Sequence, residues 1–206
     1  MPYQSPDINI YDGYGNGPSA VKSPSIASLT TDTSLVVSLS PNHPATYSAA
    51  ASITVANNPT DIFTITGSVS QIIYITKIEI SGQSDTGIGG NFETIKVIKH
   101  STANTGGTST VVIAVPHDSN NPAATATVLE YTANPTIGAV IGPVRIGSAY
   151  LSNGSISTIL LWHFARQNDQ SIILRGTSQQ LAVSLGGVSL NNGTISICIE
   201  WTESVS

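Results

Sequence analysis

The chain has 206 residues, of which only 9% are charged, with a net charge of -5 and a pI near 5.1. Phosphate neutralisation needs clustered cations, and the seven Lys and Arg are scattered along the chain, so nucleic acid is excluded as a partner. No apolar run approaches the roughly 18 residues that a membrane-spanning helix requires, so no membrane partner is expected.

In chain order, residues 1–48 come first and differ from the rest. Pro2, Pro6, Pro18, Pro24, Pro41 and Pro44 are interleaved with Gly13, Gly15, Gly17 and many serines. Prolines at this density prevent a continuous helix or a central strand. The segment nevertheless carries Tyr3, Ile8, Ile10, Tyr11 and Tyr14, side chains that lose free energy if left in water. It reads as an extended arm that docks those five residues on a neighbour, with one short strand at 34–39. The opening residues show neither a basic n-region nor an apolar h-region, so no secretory signal is expected, and the protein should be made in a cytoplasm.

Residues 49–206 read as a single body. β-rich runs fall at 53–55, 62–66, 71–81, 92–100, 110–115, 127–132, 140–151, 158–164, 172–175, 181–185 and 194–201. Gly, Asn, Pro or Ser clusters bound most of them, as strand ends require. Ser and Thr occupy roughly a quarter of the chain, and β-branched residues suit half-buried pleated surfaces. No amphipathic helical period lies between the runs, which excludes a βαβ arrangement. Asn153-Gly154 and Asn192-Gly193 supply the positive φ values of tight hairpins. The expectation is an all-β antiparallel double-sheet sandwich of jelly-roll type.

Chemistry is sparse. Cys198 is the only cysteine, so neither an intrachain disulfide nor a cysteine-based zinc site can form. It sits out of phase with Ile195, Ile197 and Ile199, which predicts a half-buried thiol on a strand. His43, His100, His117 and His163 lack metal-ligand spacing. Asp118, Asn120 and Asn121 could offer oxygens to Ca²⁺, but Asx residues between two prolines read as a turn. Glu79 and Glu93 are expected to face solvent, and Trp162 and Trp201 to belong to the core. The glycine-rich 13–17 stretch has no strand before it and no helix after it, so it is no nucleotide loop. Neither catalytic residues nor a cofactor or metal site is expected, and the chain reads as a non-enzyme.

Several stretches carry a resemblance. They are residues 99–110 (KHSTANTGGTST), 115–120 (VPHDSN), 123–128 (AATATV), 131–135 (YTANP), 173–177 (ILRGT) and 199–203 (IEWTE). Together they are similar to segments of virion structural proteins of tailed bacteriophages, including jelly-roll capsid decoration, or cement, proteins. The likeness spans about 50–205 and leaves the arm out. It implies a virion location, a homotrimeric assembly and the major capsid protein as partner, with the chain clamping capsomers together. The alternative it leaves open is a receptor- or glycan-binding module of a head or tail fibre.

Overall fold

The computed structural model describes residues 44–54, 58–83, 91–152, 158–165, 170–187 and 193–205. Twelve strands and no helix occur among them. They are β1 (Ala45–Thr54), β2 (Asp61–Thr66), β3 (Ile72–Gln83), β4 (Asn91–His100), β5 (Thr108–Val111) and β6 (Val115–Pro116), then β7 (Thr127–Ala133), β8 (Val140–Leu151), β9 (Leu160–His163), β10 (Ile172–Leu174), β11 (Gln180–Ser184) and β12 (Thr194–Ser204). No helix in this set is long and apolar enough to cross a membrane.

All strand ladders are antiparallel, and they form two six-stranded sheets. The first runs β10-β3-β12-β1-β6, with β9 also paired to β3; the second runs β5-β7-β2-β11-β4-β8. The chain pairs with itself from its ends inward: β1 with β12, β2 with β11, β3 with β10 and β9, and β4 with β8. A long antiparallel ribbon wound so that successive strands alternate between two sheets is a jelly roll. Residues 101–139, including β5, β6 and β7, are inserted at the tip of that ribbon, between β4 and β8.

Alternation fixes which face is buried. Ile195, Ile197, Ile199 and Trp201 of β12 point inward, while Ser196 and Cys198 point outward, as the sequence phase requires. In β3 the buried residues change phase, from Ile73 and Ile75 to Ile78 and Ile80. A β-bulge reconciles the two halves: the register shifts between Glu200 and Trp201, so Ile78 pairs Ile199 and Ile75 pairs Trp201. The Thr76 hydroxyl bonds the Glu200 carbonyl at 3.1 Å within the bulge. An extra residue on one strand is the device that lets inward positions change phase.

The core between the sheets is rich in isoleucine and is completed by Phe63, Leu151, Tyr47 and Trp201. Each such side chain contributes roughly 1.5–3 kcal/mol by leaving water. Tyr47 stacks on Trp201 with ring centroids 5.8 Å apart, and its hydroxyl donates to the Pro122 carbonyl at 3.0 Å.

Three expectations are corrected. β1 begins at Ala45, so the last four residues assigned to the arm belong to the first strand, where Tyr47 shares the inward phase of Ala49 and Ile53. The 110–115 run is two strands in two different sheets: β5 pairs β7, and β6 pairs β1. Glu93 does not face solvent, because it shares the inward phase of Ile95 and Val97 and is only 2% exposed. The strand at 34–39 and the turns at 153–154 and 192–193 fall wholly or partly outside the described residues.

Candidate functional site

The surface features that stand out lie along the two lateral flanks of the sandwich. On one flank the chain leaves β5 at the edge of the second sheet and enters β6 at the edge of the first. The connecting residues are extended and alternate. Val112 and Ala114 pack against the core, and the Val112 amide bonds the Val128 carbonyl at 2.9 Å. Val111, Ile113 and Val115 point the other way and are 66%, 78% and 55% exposed. The segment therefore covers core with one side chain in two and presents an aliphatic row with the others.

The opposite flank is closed by β8 and β9, edge strands of the second and first sheets. They meet where a Cβ on Gly147 would come within 2.9 Å of the Trp162 ring and 3.2 Å of Leu160. A side chain at position 147 would require the Trp162 ring or the Leu160 side chain to shift. Ile146 pairs Lys96 and Leu161 pairs Glu79, so these two exposed side chains lie on the outer faces of different sheets; Val140, Ile141 and Ile159 are exposed as well. Arg145 of β8 holds its guanidinium 5.0 Å from the centre of the Phe164 ring. Trp162 is half-buried against the core, in keeping with its expected core role.

The outer face of the first sheet is flatter. Ala50, Ser52, Ser81, Ser196 and Cys198 line an open depression of about 350 Å³ with Glu79 at its border. Burial pushes the Cys198 thiol above its ordinary pKa, and the carboxylate of Glu200 adds to this. A thiol held protonated is a poor nucleophile. Beside it Lys77 bonds Glu200 at 3.0 Å and approaches Glu79 at 3.5 Å; the Glu200 bond is the main reason its ammonium pKa is raised. Glu79 is partly exposed, as expected.

Polar groups also lie under the inserted segment, where they hold it to the barrel-like body. The Glu203 carboxylate, near the end of β12, accepts bonds from the Thr125 amide and hydroxyl, the Ala126 amide and the Trp201 indole. Asp61 of β2 accepts a 2.8 Å bond from the Asn104 amide group, and its other neighbour is His100 Nε2 at 3.4 Å. Gln180 accepts from the Asn104 backbone and donates to Thr66. Asp61 and His100 are both buried beneath the segment.

The Asp118 loop is an Asx turn: its carboxylate accepts the Asn120 amide at 2.9 Å and its carbonyl the Asn121 amide. No group of three or more His, Cys, Asp or Glu is placed to hold a metal among the described residues. The five arm residues Tyr3, Ile8, Ile10, Tyr11 and Tyr14 lie outside the described residues, so the structure neither gathers nor separates them. The sequence does not reveal the aliphatic row at 111–115, because the run is apolar throughout and no polar position marks which side chains face out. No family profile, no curated protein and no solved structure matches the chain.

Proposed function

We propose that this chain is a structural protein of a virion, a decoration protein that sits on the outer face of the head and ties neighbouring capsomers together. Its partners on this reading are the major capsid protein and further copies of itself. The observation that carries the reading is the exposed aliphatic row Val111, Ile113 and Val115 on one flank of the sandwich, where Val112 and Ala114 between them pack on the core. Single exposed hydrophobics are ordinary, but contiguous rows on a folded domain mark surfaces that another molecule covers. The stretches similar to tailed-phage proteins, 99–110 and 115–120 above all, contribute most of β5 and β6 on either side of that row. The apolar arm, with Tyr3, Ile8, Ile10, Tyr11 and Tyr14, supplies a further contact, and repeated weak contacts around a symmetric particle add up to firm attachment.

The test uses heads that lack the protein. Purified chain added to them should bind to saturation and raise the temperature at which they release their DNA. Heads that bind none of it would overturn the assignment. A second reading, a receptor- or glycan-binding module, has one observation in its favour. Phe92 is largely exposed beside Tyr150, with ring centroids 5.1 Å apart. The rings are tilted by 52°, so they do not make one flat stacking platform for a sugar.

A further inference from the structure

We draw no further inference here: the strongest candidate, the open depression on the outer face of the first sheet lined by Ala50, Ser52, Ser81, Ser196 and Cys198, is an unpartnered face of small side chains, and nothing in the structure shows what covers it.

Discussion

Glu203 gathers four donor groups on one carboxylate, and three of them belong to Thr125 and Ala126 of the inserted segment. Glu203→Gln keeps the shape but turns an amide NH₂ toward these donors, leaving at least one buried donor without an acceptor. That costs about 1–3 kcal/mol, and a domain of this size loses about 2–4 °C of Tm per kcal/mol. A fall of roughly 2–12 °C in a thermal melt is expected. Glu93 gives the opposite sign. Burial raises its carboxyl pKa, so the fold favours the neutral acid. Its contribution is fully present below the unfolded pKa, about 4.3, and is lost as pH rises through the raised folded value. Glu93→Gln should therefore stabilise the protein at pH 7 and flatten the decline in Tm between pH 4 and 7; an unchanged slope would place the burial elsewhere. The phase of Glu93 with Ile95 and Val97 was legible in the sequence, but a carboxyl was expected to follow its charge outward. The Thr125 and Ala126 partners of Glu203 were not legible, since they lie 78 and 77 positions away and no local pattern links them.

Among the elements, the inserted 101–139 segment depends on a few close backbone approaches. Ser101 bonds the Ala139 carbonyl, Thr105 and Thr136 form a reciprocal bridge, and Ala139 donates to the Thr102 hydroxyl. A Cβ on Gly138 would stand 2.0 Å from the Thr102 carbonyl oxygen, which is backbone and cannot step aside. Gly106, with φ +64, has nothing near its missing Cβ. Gly106→Ala should cost only the left-handed strain of about 1–2 kcal/mol. Gly138→Ala should cost more than this and open the segment to protease, and proteolysis rates of the two variants compare them directly. A Gly138→Ala protein as resistant as Gly106→Ala would show that the loops are not held as described. Strand positions were readable because alternation and turn residues are local signals. The division of 110–115 between two sheets was not, because the Val-Val-Ile-Ala-Val run is apolar throughout, without a Gly or Pro to mark where it changes partner.

For the whole molecule, the jelly roll follows from a ribbon that pairs end to end, and the sequence expectation of that class agrees with the observed strand order. The proposed virion role draws on different support: the exposed row at 111–115 and the resemblance carried by stretches between 99 and 203. On that proposal, covering Val111, Ile113 and Val115 removes apolar area from water and favours attachment. Image reconstruction of the particle encoded with this chain, with and without its gene, tests this most directly. The account predicts extra density on the outer face of the head, repeated at symmetry-related sites between capsomers and missing when the gene is deleted. Density confined to fibre tips, or particles identical in both cases, would contradict it.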